Sequence, residues 1–365
     1  MPPIDPTQIQ DLVNNTIPNY KRQIAAHLAK QFTRLTGLST FFRKGRVADE
    51  FTAAGRGGVM SQNPGGGWQY DFPVLTSTAG AASHVGLYAS STGAVQKHID
   101  RCQMPLRISR TRYDWDDIEA AMNSGEAQIA NIIMGRQVAA LTDLVELIEL
   151  AIWGAPTDNT DVVTPYGIGH AVTTGTTAGF TGTFQSGFTT KYGSTSTALN
   201  NYWNSFTNVS FDDLVAKVDL AMLSIGFQPY QYVTGIEEKM PRYRMFTGQT
   251  NILALRQLGR AQNANQPAPY DLMIKDGMIT INGVPVEYAP AIDTIDATLQ
   301  TAQRPFYILD MAYWYPFRLG QYWMKQTDPM KDRDQPLVNA KFWHCVWGLV
   351  CEAPKYQAKL TYSAS

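Results

Sequence analysis

Three adjacent carboxylate pairs, Asp116-Asp117, Asp212-Asp213 and Glu237-Glu238, are the first groups in this chain that could do chemistry. Two carboxyl groups facing each other across a cleft can act as acid and base, as in glycoside hydrolysis. The first two pairs fall where helices should begin, and acids there interact favourably with the helix dipole. The third reads as a solvated turn. A hydrolase would have to bring Asp116 or Glu119 against a distant acid. The five histidines, His27, His84, His98, His170 and His344, are scattered, with no pair at metal-ligand spacing. His344 and Cys345 are neighbours, but successive residues of a strand point to opposite faces, so they form no local dyad. Gly65-Gly66-Gly67 leads into Trp68 and not into a helix, which does not suit a phosphate cradle. The dinucleotide, P-loop and zinc-protease motifs do not occur. The residues point away from an enzyme: they offer no catalytic, cofactor-binding or metal-binding set and require no cofactor.

Composition points the same way. The 365 residues carry 30 Lys+Arg against 31 Asp+Glu, a net charge of −1. That balance lacks the basic footprint of a dedicated nucleic-acid binder, although a wall can enclose nucleic acid without gripping it. Only 17% of residues are charged, while there are 18 Tyr and 8 Trp. Aromatics give large contact area at small entropic cost and are enriched where proteins meet; a large aromatic core would use them too. Cys102, Cys345 and Cys351 make no metal-like set, and the last two are expected to face a sheet interior as small apolar groups in a reducing compartment. The opening Met1-Pro2-Pro3-Ile4-Asp5-Pro6 does not read as a signal peptide. No apolar run reaches the ~18 residues that cross a bilayer.

The elements that would position these residues are unusual. Residues 5–36 read as an amphipathic helical arm interrupted at Pro18, with Ile24, Leu28, Phe32 and Leu35 on one face. It would pack either on its own core or across a neighbour. From Phe41 to Arg112 some seventy residues show no obvious helix and carry Gly55-Arg56-Gly57-Gly58 as well as the triple glycine. That is far longer than an ordinary loop and argues for a functional protrusion. Within it, Trp68–Val74 alternates as a half-exposed strand should, and 96–112 reads as a return strand.

A long helix is expected from an N-cap at Asp114 to about Trp153, stopped by Gly154 and Pro156. At 1.5 Å per residue it would span roughly 55–60 Å. Its stripe runs through Ile118, Met122, Ile129, Ile133, Ala140, Leu144, Leu147, Ile148 and Ala151, and Gly125 and Gly135 are its candidate bend points. Two shorter helices broken at Asn123-Ser124-Gly125 are the alternative. Residues 155–208, rich in Thr, Gly and Ser, read as an irregular insertion pinned by aromatics such as Tyr166 and Phe188.

From Ser210 to Asp310 the pattern is a compact α/β unit. It comprises a helix capped by Ser210 and ending near Ile225, strands at 230–235 and 242–247, a helix from Thr250 to about Arg260, and two hairpins. Asp276-Gly277 and Asn282-Gly283 supply the positive φ angles of type I′ turns. Phe306–Asp310 is a short buried strand. Beyond it, strands at 321–325, 341–351 and 357–362 should return beside the long helix.

This α+β order resembles the major capsid proteins of tailed bacteriophages, the Hong Kong-type fold shared with encapsulins and herpesvirus capsid floor domains. The resemblance rests on Thr177-Ala178-Gly179-Phe180-Thr181-Gly182, Tyr202-Trp203, Asp213-Leu214-Val215-Ala216-Lys217, Thr247-Gly248-Gln249, Ile281-Asn282-Gly283-Val284-Pro285-Val286, and Asp310 with the Trp314 region. It implies an N-arm at 1–40, an extended E-loop at 41–112, and a P-domain spine helix with the insertion at 113–209. An A-domain at 210–310 and C-terminal strands returning to the P-domain at 311–365 complete it. It further implies a homo-oligomer of hexamers and pentamers in an icosahedral shell around double-stranded DNA, with no sequence-specific binding and no membrane. A separate scaffolding protein, a portal and a decoration protein are the implied partners, with assembly in the bacterial host cytoplasm and residence in the virion capsid. Phe41, Phe42, Arg56, Trp68, Tyr70 and Phe72 are the candidate inter-subunit contacts. Lys44, Lys97 and Asn339 lie in regions that some relatives cross-link, but no local motif supports a covalent bond here. An encapsulin-like nanocompartment shell is the alternative, followed by a cytosolic hydrolase or carbohydrate-binding protein using the 155–208 insertion.

Overall fold

The computed structural model describes residues 36–41, 61–62, 69–75, 99–118, 126–173, 188–189, 213–225, 243–263, 272–275, 278–299, 303–319, 322–331, 335, 337–351 and 354–362. In chain order these form α1 (Thr36–Phe41), β1 (Ser61–Gln62), β2 (Gln69–Leu75), β3 (Ile99–Pro105), β4 (Arg107–Asp116), α2 (Glu126–Trp153), α3 (Ile168–Ala171) and α4 (Leu214–Ser224). Then come β5 (Tyr243–Thr247), α5 (Gln249–Asn263), β6 (Leu272–Lys275), β7 (Met278–Ile281), β8 (Val284–Tyr288), α6 (Pro290–Leu299) and β9 (Phe306–Asp310). The described chain closes with β10 (Trp314–Arg318), β11 (Lys325–Gln326), β12 (Met330–Lys331), β13 (Val338–Cys351) and β14 (Ala358–Leu360).

The fourteen-residue β13 organises the first sheet. Its first ten residues pair antiparallel with β4, from Val338 opposite Asp116 to Trp347 opposite Arg107. β10 pairs with its last five, and β11 and β12 pair nearer its start. Side chains alternate across a strand, so Trp343, Cys345, Trp347, Leu349 and Cys351 share one buried face. The opposite face carries Phe342, His344, Val346, Gly348 and Val350. α2 packs along β4 and β13, so strands more than two hundred residues apart in sequence share the core of the long helix.

The second sheet has the order β14-β9-β5-β8-β7-β6. Alternation here divides each central strand between two cores. Phe246, Tyr307 and Leu309 join the core of the long helix, while Met245, Phe306 and Ile308 join a second core with α4 and α5. All five residues of β9 are consequently buried. Trp153, the last residue of α2, stands edge-on to Phe246 at 5.2 Å and lies 5.8 Å from Tyr307, joining the long helix to the second sheet. The Asn282-Gly283 turn has φ of 50° and 77°, as its type I′ chemistry requires.

Several expectations need correcting. Asp114 is not an N-cap: residues 107–116 are a strand, and the described long helix begins at Glu126. Its 28 residues span about 42 Å. Helical backbone does begin just past the strand, at Asp117 and Ile118, and it is Asp116 that caps it. Asp114 accepts from Arg112 at 2.6 Å, Asp116 accepts the Ile118 N–H at 2.8 Å, and Asp117 accepts from Asn339. Leu147, placed on the apolar stripe, is half exposed, whereas Leu144 and Ile148 are buried. α4 starts at Leu214 with Asp213 in the N-cap position, and Ser210 lies outside the described residues. β14 does not return beside the long helix. It pairs with β9 and closes an edge of the second sheet. The strand expected at 321–325 is reduced to Lys325–Gln326, and β10 and α6 were not anticipated.

Candidate assembly surfaces

The expected protrusion is rooted on the first sheet by a hairpin, β2 against β3, with Gln69 opposite Pro105 and Leu75 opposite Ile99. Phe72, Cys102 and Met104 are buried, and Tyr70 stacks on Phe317 of β10 at 3.8 Å between ring centroids. Gly348 is what allows so close an approach. A Cβ there would lie 2.4 Å from the Met104 methyl carbon. Burying such side chains contributes roughly 1.5–3 kcal/mol for each large one, so the hairpin belongs to the chain's own core and not to a free loop.

The N-terminal segment is tied down one layer away. The first amides of a helix have no partner within it. In α1 the Gly37 N–H donates to Glu149 Oε1 of α2 at 2.7 Å, and the same oxygen accepts from the Trp153 indole N–H at 3.0 Å. Thr36 donates its hydroxyl to the Tyr288 carbonyl at 2.8 Å. Gly37 leaves room for this: a Cβ would stand 2.8 Å from the Trp153 indole nitrogen. Phe41 ends the segment against Trp314, at 5.8 Å between rings.

Behind α2 the chain folds back tightly. Gly167 is packed on the helix end so closely that a Cβ would meet the carbonyl oxygens of Ala151, Gly154 and Ile152 at 2.3, 2.5 and 2.6 Å. Between them, the 157–164 loop is organised by its two acids. Asp158 accepts from the Thr160 amide and hydroxyl, and Asp161 accepts the amides of Thr157, Val163 and Thr164. Burial raises the Asp161 pKa, but those donors outweigh it and bring the group down to about 2. Tyr166, His170 and Phe188 then meet edge to face, so the described part of the insertion is pinned by aromatics as expected.

The second sheet carries its own tertiary caps. The Asp293 carboxylate of α6 accepts the Gln249 amide at 3.1 and 3.0 Å, capping α5 from 44 residues away, and it fills the space beside Gly248. Gln357 Oε1 accepts from the Asp310 amide and the Trp314 indole, at 2.8 and 3.0 Å, and so locks β14 to the crossover between the two sheets.

Among solved structures, the cyanophage A-1(L) capsid asymmetric unit superposes with a TM-score of 0.53 at 12% identity, covering 82% of this chain and 88% of that one. The fold is that of the tailed-phage capsid proteins. A structure from Mycobacterium phage Bobi matches at a TM-score of 0.50 and 11% identity, over 90% of this chain and 91% of that one. An encapsulin complex from Synechococcus elongatus PCC 7942 aligns more loosely, at a TM-score of 0.42 and 14% identity over 72% of this chain and 77% of that one. No protein-family model and no curated protein sequence matches the chain.

Within this capsid fold, the residues anticipated as contacts separate by burial. Phe41 and Phe72 are each 2% exposed and pack inside the chain's own core, and Tyr70 is half-buried on Phe317. Phe42, Arg56, Trp68 and Gly125 lie outside the described residues. Gly135 lies on an exposed part of α2, where an added Cβ would meet nothing within 4 Å. Glu149, Asp293 and Gln357 were missed. The only sequence signal for Glu149 was an acid beside Ile148 on the inner side of the helix, one turn before Trp153. Cys345 and Cys351 are buried thiols outside any disulfide, and burial pushes Cys345 up to about 12.

Proposed function

We propose that the chain is a shell-forming capsid subunit, assembling as hexamers and pentamers of an icosahedral particle around double-stranded DNA. The observation that carries this reading is the capsid fold shared with the cyanophage subunit across most of both chains. In this reading α2 and β13 form the wall, the unit around β5, β8 and β9 sits at the capsomer centre, and the arm beyond β2 and β3 overlaps a neighbour. The rooted hairpin supports such an arm, because a lever transmits force only if its base is fixed. Many modest interfaces acting together make a shell far stronger than any one contact. Phe42, Arg56, Trp68 and Tyr70 are proposed to contribute at neighbours, with Phe41 and Phe72 acting through the core that holds the arm. Gly125 and Gly135 are proposed as the points at which the spine bends as the particle matures. Scaffolding, portal and decoration proteins would be separate chains, with assembly in the host cytoplasm. The reading assigns the chain no catalytic role.

Electron microscopy of the chain expressed alone, and with candidate scaffold genes, tests this. Closed shells, tubes or hexamers are expected. Deleting residues 52–66 should leave a soluble subunit that does not close shells. Normal shells from that deletion would remove the arm from the account, and a persistent monomer under both conditions would remove the shell reading itself.

A further inference from the structure

The face of the first sheet opposite Trp343 and Cys345 presents a histidine between two cationic side chains, in a row across three strands. Arg110 of β4 is directly opposite His344 of β13, and His344 is directly opposite Lys325 of β11. Residues paired in this way project from the same face, so with strands about 4.8 Å apart the row spans roughly 10 Å. Arg110 and Lys325 are exposed and His344 is partly so. Among the described residues no carboxylate is paired with any of the three. The neighbouring Arg112 differs in being satisfied by Asp114 at 2.6 Å. Apolar groups flank the row: Ile108 is 47% exposed, Phe342 stacks on the His344 ring at 6.0 Å, and Tyr322 lies under the Lys325 ammonium at 4.8 Å.

We propose that the Arg110–His344–Lys325 row is a docking site for a short acidic segment of a separate protein, one that carries clustered carboxylates beside an apolar side chain. The surroundings select this partner over two others. Asp114, Asp116 and Asp117 stand at the far end of β4, and Asp328 follows β11. A duplex nucleic acid, with charge along its whole length, would run into these carboxylates, whereas a short peptide ends before them. The chain's own arm is basic between residues 41 and 98 (Arg43, Lys44, Arg46, Arg56 and Lys97 against Asp49, Glu50 and Asp71), so the arm of a second copy brings the wrong charge. Three aligned donors on rigid strands, with an apolar shoulder on each side, fit alternating acidic and apolar side chains. The site does not depend on whether the chain builds shells.

Protonation should modulate the site. Desolvation, followed by the charges of Arg110 and Lys325, holds His344 below the ordinary histidine value. Arg112 faces it from one residue pair further along, but that charge is offset by Asp114. A docked carboxylate reverses the balance and favours the imidazolium, so the segment binds with proton uptake.

The test uses the full chain and a fluorescein-labelled peptide made of three Glu-Glu-Ser-Leu repeats, read by anisotropy at low salt. Competitors are the same peptide with Gln for Glu and a short DNA duplex. We expect saturable binding of the Glu peptide, none of the Gln peptide, and about a tenfold loss in the R110Q/K325Q double variant. Binding should tighten as pH falls from 7.5 to 5.5, and H344Q should lack that gain. The substituted positions are exposed or partly so, and circular dichroism checks that the variants fold. Failure of the peptide to bind, or equal binding to the double variant, overturns the proposal. So does a duplex that outcompetes the peptide, which would mark a nucleic-acid surface. A change in self-association on R110Q/K325Q without peptide binding would assign the face to a second copy instead.

Discussion

Replacing Glu149 with alanine should release the N-terminal segment from the long helix. The carboxylate is 4% exposed, and its Oε1 accepts both the Gly37 amide at 2.7 Å and the Trp153 indole at 3.0 Å. Hydrogen bonds to a charged acceptor contribute about 1.5–3 kcal/mol each, so two give about 3–6 kcal/mol. Removing a buried carboxylate also relieves its desolvation, which offsets part of that and leaves about 2–4 kcal/mol. The Gly37 amide reports the loss directly, because it is the donor left without its acceptor. Its hydrogen exchange should accelerate by about 30- to 1000-fold at one decade per 1.4 kcal/mol. Glu149→Gln separates charge from geometry: its amide oxygen can accept both bonds, so it should cost about 1 kcal/mol. Wild-type exchange at Gly37 in the E149A protein would refute the reasoning. It would mean that the Thr36 bond to Tyr288 and the packing of Phe41 hold the segment without the carboxylate.

Gly167→Ala should lower the thermal midpoint and cost at least about 2 kcal/mol, because the new methyl would overlap three carbonyl oxygens that cannot all move; an unchanged midpoint would show that the turn has room to shift. Asp161 provides a pH signature. Its folded pKa of about 2 lies below the ordinary 3.8, so its contribution is complete above about pH 4 and is lost as pH falls towards 2. After allowance for solvent screening this amounts to about 1 kcal/mol, and Asp161→Asn should flatten the acid limb of a stability-against-pH curve by that amount.

How much of this was legible depended on range. Asn282-Gly283 fixed its own hairpin, since positive φ is a property of two residues. The β2 strand, the buried β9 and the inward cysteines of β13 followed from alternation or from unbroken apolar runs. The long helix was visible from its stripe, yet the N-cap expected at Asp114 falls within β4, because the acidic run that marks helical backbone at Asp117 also reaches back into the strand. Alternation through Ser109, Arg110, Thr111, Arg112 and Tyr113 was equally present and described the observed strand better. What chose between them was β13, more than two hundred residues away, which supplies ten residues of pairing that no local propensity can outweigh.

The amino-acid sequence by itself determined the local parts: an α+β chain with a long helix, a glycine-rich excursion and two tight hairpins. Tertiary structure decided which parts share a core. It sent alternate residues of β5 and β9 to different cores, seated Tyr70 on Phe317, placed β14 in the second sheet and turned Glu149 into an acceptor for Gly37. The physical reason is common to all four. Each depends on a partner distant in sequence, and periodicity records which face of an element is buried without recording what buries it.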